Sequence, residues 1–173
     1  MQASTITITD TRPAAAQATT TAKPLTTSNG TAADELVTAA LQRSLTDLIV
    51  VASVAKHAHW NVTGPRFRAL HLQLDELASV ARDAADEIAE RIAALGAAPD
   101  GRPSSLSTIP EIGAGPIPDA ELIETVLVQI DHVVDRAAAA IQTELAADPV
   151  SQSIVIDLVA ELDKQTWMFA AQR

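Results

Sequence analysis

Two tight helix breaks and one long one constrain this chain more than any other feature. Thr63-Gly64-Pro65 and Asp148-Pro149 each interrupt a helical pattern for two or three residues, whereas residues 96–118, GAAPDGRPSSLSTIPEIGAGPIP, interrupt it for more than twenty. Glycine supplies helix-ending backbone and proline cannot continue a helix, so all three stretches are breaks. They delimit four helical segments at about Thr31–Asn61, Pro65–Leu95, Asp119–Ala147 and Pro149–Ala171. Thr31 with Asp34 resembles a capping box in which Asp replaces the usual Glu. Gly64 reads as the cap of the first helix, and Gly96 ends the second. Asp148 reads as an N-cap with Pro149 at the first helical position. A single helical turn is expected within residues 96–118.

Connection length sets the topology. Short loops make antiparallel hairpins, so the first helix pairs with the second and the third with the fourth. The long middle segment can run the length of the bundle. The expectation is therefore an all-α, ferritin-like four-helix bundle with one long crossover connection between helices two and three. Leu36, Ala40, Leu41, Leu45, Leu48, Ala52 and Ala55 form an apolar face on the first helix. On the second helix that face is Leu70, Leu74, Leu77, Ala81, Ala84, Ile88, Ile92 and Leu95. The chain is 47% hydrophobic but only 2% aromatic, so alanine and aliphatic residues must build the core, which suits closely packed helices. Residues 1–30, rich in Thr, Ala and Pro, read as a disordered N-terminal tail with a short strand-like piece at Thr5–Thr9; residues 31–173 form the bundle. No repeat at solenoid spacing is present.

Charge and composition exclude several classes. With no cysteine there is neither a disulfide nor a thiolate metal site. A net charge of −10 argues against a surface that coats nucleic acid. No run of about 18 apolar residues spans a membrane, and the first thirty residues hold no apolar run of signal-peptide type. The chain reads as soluble and cytoplasmic.

Three of the four histidines fall within residues 57–71, and Asp75 follows His71 by one helical turn. On a helical wheel His71, Asp75, Asp86 and Glu90 form a stripe that looks away from the bundle interior. Asp75 and Asp86 are eleven residues apart, about 16 Å along the axis, so a single helix cannot bring both to one ion. The spacing has a mirror property, however. His71 and Glu90 are equidistant from the midpoint between Val80 and Ala81, and so are Asp75 and Asp86. Two antiparallel copies of this helix about a twofold axis at that midpoint would place His71 opposite Glu90, and Asp75 opposite Asp86, of the second copy. Small Ala78 and Ser79 lie near that axis. Each isologous dimer then builds two identical sites, with His59, His71 and Asp75 from one subunit and Asp86 and Glu90 from its neighbour. Two imidazoles and three carboxylates without sulfur suit Fe(II), with Mn or Zn as alternative occupants; two irons per site are possible but not demanded. The bland reading of each residue alone is a solvated helix face. Asp83 and Glu87 are read that way, solvated or paired with Arg82 or Arg91.

His59-Trp60-Asn61, Gly64 with Phe67, Leu70-His71 with Leu74-Asp75, Asp86 with Ala89-Glu90-Arg91, and Leu162-Asp163-Lys164 with Trp167 together resemble the Dps family of mini-ferritins, DNA-binding proteins from starved cells. The resemblance covers about residues 31–172. It implies that the family's five ferroxidase ligands fall on His59, His71, Asp75, Asp86 and Glu90. It further implies a homo-oligomeric shell of twelve subunits built from isologous dimers. That shell would oxidise Fe(II) with hydrogen peroxide or oxygen, store the ferric product and protect against oxidative stress. Paired irons that reduce peroxide by two electrons avoid releasing hydroxyl radical. Trp60, beside His59, is a candidate electron donor to stray oxidants and equally a packing residue at the dimer interface. Trp167 reads as structural. His57 and His132 read as non-ligands, and Glu144 and Asp148 are candidates for an acidic iron-entry pore, with a plain N-cap accounting equally for Asp148.

Other readings make different predictions. Ordinary ferritins carry Glu-x-x-His motifs pointing into each bundle, and no histidine here has Glu three positions earlier. A metal-dependent amide or ester hydrolase could use the same inter-subunit site, and a DNA-compacting structural protein is a third reading. The tail offers only Arg12 and Lys23, so DNA binding is expected to be weak or absent.

Overall fold

The computed structural model describes residues 31–106 and 112–173. Four long helices account for most of them: α1 (Ala32–Asn61), α2 (Phe67–Ala94), α3 (Asp119–Gln142) and α4 (Pro149–Ala170). The tail expected over residues 1–30 lies outside the described residues. The turn expected in the crossover is a 3-10 turn at Pro103–Ser105.

Local chemistry sets most helix ends where the sequence places them. Thr31 and Asp34 form the capping box: the Asp34 amide donates to the Thr31 hydroxyl at 3.3 Å and the Thr31 amide to the Asp34 carboxylate at 2.8 Å. Asp148 caps α4 by accepting from the Val150 amide at 3.2 Å, with Pro149 in the first turn. Gly96, at φ +84°, closes α2 in the left-handed region.

Two ends differ from expectation. The C-cap of α1 is Val62, not Gly64, because Val62–Thr63 (β1) pairs in parallel with Ile117–Pro118 (β2). Helix α3 stops at Gln142 instead of running to Ala147. Thr143 leaves helical geometry, its hydroxyl donates back to the Ala139 carbonyl at 2.8 Å, and a 3-10 turn over Glu144–Ala147 follows. That turn buries Leu145 completely.

The parallel β1–β2 pair returns the crossover to the end of the bundle where α1 finishes. Helices α2 and α3 therefore start at the same end. Helix α1 packs chiefly on α2, and α3 on α4, which is the four-helix bundle with one crossover. The crossover is pinned to α1 where the Gln42 amide bonds both backbone groups of Asp100, at 2.8 and 2.9 Å. Leu41, Leu48, Leu70, Leu74, Ile88, Ile92, Leu122, Ile130, Leu162 and Phe169 centre the core, while Ala40, Ala52, Ala55, Ala58 and Ala81 let the helix backbones approach. Two readings of side-chain position are corrected. Leu36, assigned to the core face of α1, is exposed, and Ala78, placed at a dimer axis, is buried within its own bundle; Trp167 is 69% exposed in the single chain. By length and composition α1 is also apolar enough to cross a membrane, contrary to the reading that no segment is, although about half of its apolar window (56%) is buried in the bundle.

Candidate metal centre

The hairpin between α1 and α2 is held by a carboxylate from the start of α3. Asp119 accepts from the Arg66 amide at 2.9 Å, from the Arg66 guanidinium at 3.1 Å and from the Ala120 amide at 2.9 Å. The Arg66 amide chiefly holds the Asp119 carboxyl below its ordinary range, against the opposing effect of burial. Gly64, at φ +117°, is required here: a Cβ on it would lie 2.7 Å from the Asp119 carboxyl carbon. This clasp sets where α2 begins and hence where His71 stands relative to the end of α1.

His59 and His71 meet across the hairpin. Their rings stack with centroids 3.6 Å apart, and each Nδ1 contacts the other residue's backbone carbonyl, at 2.6 Å from His59 and 2.9 Å from His71. A carbonyl oxygen only accepts, so each Nδ1 donates and Nε2 is the ring nitrogen left to face a metal. A backbone carbonyl fixing one imidazole nitrogen while the other faces a metal is the usual arrangement for ligating histidines. Phe67 flanks His71, with ring centroids 5.1 Å apart.

Asp75 lies one turn beyond His71 and is exposed. Its Oδ1 accepts from the Lys56 ammonium at 2.6 Å. That hydrogen bond is the largest influence holding the Asp75 carboxyl below its ordinary value; burial opposes it, while the charges of Lys56, His59 and His71 reinforce it. Sequence reasoning missed Lys56. Its only signal was position, three residues before His59 and four before Trp60, where a helix brings side chains to one face. The ammonium also lies 6.0 Å from the centroid of the Trp60 ring, which is 70% exposed.

The structure does not bring Asp86 and Glu90 to this cluster within one chain. Both are exposed on α2. Asp86 lines an open groove of about 700 Å³ between α1 and α2, together with Lys56, Trp60 and Arg82. Arg91 is not a partner of Asp83 or Glu87. It anchors α2 to the start of α4 through Asp148 at 2.7 Å and Ser151 at 2.9 Å. Among the described residues of a single chain, no three histidine or acidic side chains converge tightly enough to enclose an ion.

The remaining candidates are tied up locally. His57 Nε2 contacts the Gly113 carbonyl at 3.2 Å, and His132 is half-buried on α3. Glu144 pairs with Arg43 at 2.6 Å, and its carboxyl is held low first by the Thr143 hydroxyl. Burial raises the Asp148 carboxyl, but the Ser151 and Arg91 bonds outweigh that and hold it low. Neither is a free acidic group.

Comparison with known proteins adds independent findings. A family model for the ferritin-like domain matches residues 38–173. The DNA protection during starvation protein of Mycolicibacterium smegmatis is 31% identical over 138 residues, spanning 76% of this chain and 73% of that protein. The fine tangled pili major subunit of Haemophilus ducreyi is 34% identical over 143 residues, spanning 81% and 76% respectively. Among solved structures, Dps from Microbacterium arborescens in the high iron form superposes with a TM-score of 0.77 at 31% identity, over 84% of this chain and 97% of that one.

Proposed function

This chain belongs to the Dps family of ferritin-like proteins, and from that premise we propose that it is an iron-storing ferroxidase. It oxidises Fe(II) with hydrogen peroxide, or with oxygen, at sites shared between two copies of the chain, and it keeps the ferric product inside a homo-oligomeric shell of twelve subunits. The observation that carries this reading is the reciprocal His59–His71 arrangement, which commits each Nδ1 to a backbone carbonyl and leaves Nε2 of two adjacent imidazoles for a metal. Beside them stands Asp75, and the mirror spacing of α2 would bring Asp86 and Glu90 of a second copy opposite. The exposed stripe on α2 and the exposed Trp60 at the end of α1 are what such a second copy would cover.

The iron is substrate. Two Fe(II) supply two electrons, the O–O bond of hydrogen peroxide breaks, two protons are taken up, and two waters and two Fe(III) result. Carboxylates are hard anions and favour Fe(III) over Fe(II), so Asp75, Asp86 and Glu90 pull the oxidation forward, while the imidazoles hold the Fe(II) state. Trp60 stands next to His59 and can give an electron to a one-electron oxidant that escapes. Protection of DNA, the role in the name of the Mycolicibacterium relative, would here be chemical: removal of peroxide and Fe(II) together. A net charge of −10 per chain opposes coating of phosphate.

A mixed-subunit experiment tests both chemistry and geometry. His59→Ala/Asp75→Asn and Asp86→Asn/Glu90→Gln chains should each fail to form ferric absorbance from anaerobic Fe(II) and peroxide. Co-assembled, they should recover about a quarter of the wild-type rate, because half of random dimers are mixed and each mixed dimer rebuilds one of its two sites. No recovery in a well-assembled mixture would refute the shared site. Full activity in both parent variants would refute these ligands.

A further inference from the structure

Helices α2 and α4 leave between them a groove that the metal centre does not use. Val80, Ala84 and Ile88 of α2 and Ile154 and Leu158 of α4 line it, together with Asp83, Asp157 and Glu161, around about 270 Å³ of space. Its floor is apolar and its polar groups are all anionic. Val80, Ala84 and Ile88 follow one another at four-residue intervals, so they form a strip along α2. That strip faces largely away from the stripe of His71, Asp75, Asp86 and Glu90, so a second copy seated on the stripe does not cover it.

The groove is short of cations. Glu161 pairs with Lys164 at 3.2 Å, but both side chains are about half exposed and such a pair is weak. Among the described residues, neither Asp83 nor Asp157 has a cation within ion-pair distance. Acceptors remain unused one turn further along α4 as well. Gln165 is fully buried; its Nε2 donates to Glu76 at 3.4 Å, and its Oε1 has no partner among the described residues. The three groove carboxylates do not converge tightly enough to enclose a metal ion. Asp157 and Glu161 are instead one turn apart, about 6 Å along the axis. Two ammoniums joined by three or four staggered methylenes span much the same distance.

We propose that the α2–α4 groove binds an aliphatic polyamine, a methylene chain that carries ammonium groups. The methylenes lie on Val80, Ala84, Ile154 and Leu158, where their burial is favourable. The ammoniums meet Asp157, Glu161 and, across the groove, Asp83. A compact hydrated cation satisfies the carboxylates but gains nothing from the floor; a neutral apolar ligand does the reverse. The occupant touches both helices and so braces α2 against α4. The site is independent of the ferroxidase reading and stands or falls without it.

The test is calorimetric titration of the assembled, metal-free protein with spermidine at about 0.15 M salt, where diffuse attraction to an acidic surface is screened. Hexaamminecobalt(III) carries the same charge without methylenes and reports the diffuse attraction alone. Wild type should bind one spermidine per chain, at least about tenfold more tightly than hexaamminecobalt(III). Asp157→Asn/Glu161→Gln should weaken spermidine by at least about tenfold. Asp131→Asn/Asp135→Asn removes an exposed pair of the same spacing on α3 that does not line the groove, and it should leave the affinity unchanged. Ala84→Leu fills the floor at constant charge and should weaken spermidine but not hexaamminecobalt(III). Spermidine bound no more tightly than hexaamminecobalt(III) by wild type would reduce the binding to surface charge and overturn the proposal. Equal losses in the two carboxylate variants, or undiminished spermidine binding by Ala84→Leu, would overturn it too.

Discussion

Gly64 and Asp119 should behave as one unit, and a double-mutant cycle reads that directly. Replacing Gly64 by Ala imposes two costs. A side chain at φ +117° is strained by about 1–2 kcal/mol. In addition, the new Cβ would sit 2.7 Å from the Asp119 carboxyl carbon, so the carboxylate must move and surrender its bonds to the Arg66 amide, the Arg66 guanidinium and the Ala120 amide. Bonds to a charged group contribute about 1.5–3 kcal/mol each when buried. The Arg66 side chain is 36% exposed, so we take about 3 kcal/mol for the three together. Gly64→Ala should then cost about 4–5 kcal/mol and Asp119→Ala about 3 kcal/mol. In the double variant the carboxylate is already gone, so only the strain is added, and the total stays near 4–5 kcal/mol instead of the 7–8 that additivity demands. The measurement is urea unfolding followed by circular dichroism at one fixed subunit concentration, because assembly makes apparent stability concentration-dependent. An additive cycle would refute the argument that Gly64 is required for the approach of Asp119. The same variants should weaken Zn(II) binding, since Arg66 is the residue from which α2, and with it His71, is launched.

Acidification should destabilise the fold in a defined window. Asp75, Asp119, Asp148 and Glu144 are held below their ordinary values, 3.8 for the aspartates and 4.5 for the glutamate, so each binds a proton less readily folded than unfolded. Their contribution is complete above about pH 5 and is lost as pH falls below 4, so the urea midpoint should hold between about pH 7 and 5 and drop by pH 3.5; a midpoint unchanged at the acid end would contradict the assignment. Leu74→Ala, at a fully buried position on α2, should lower stability by about 2–5 kcal/mol in the same unfolding assay. A loss under 1 kcal/mol would mean that the α2 core face is misplaced. Plasmid DNA should not be retarded in a gel at about 0.15 M salt without divalent cations; a clear shift would show that the acidic charge is not the controlling feature.

What the amino-acid order determined alone is whatever depends on neighbours along the chain. Thr31 with Asp34 and Asp148 with Pro149 carry their helix starts in local hydrogen-bond geometry, so those ends fall where the sequence places them. The lengths of the breaks carry the hairpins and the crossover. Helical periodicity carries the core face of α2 and the outward stripe of His71, Asp75, Asp86 and Glu90, because side-chain azimuth repeats every 3.6 residues whatever the helix packs against. Tertiary structure decided everything that requires two elements to be set at a particular rotation and height. Lys56 meets Asp75 across nineteen positions, and Asp119 meets Arg66 across fifty-three. The early end of α3, the β1–β2 pair and the true reason for Gly64 belong to the same class, as do the exposure of Leu36 and Trp167 and the burial of Ala78. A wheel drawn for one helix gives the direction in which a side chain leaves its own axis, but not how far that axis is turned toward its neighbour. A few tens of degrees in that rotation separate a solvated lysine from one bonded, as Lys56 is, to Asp75.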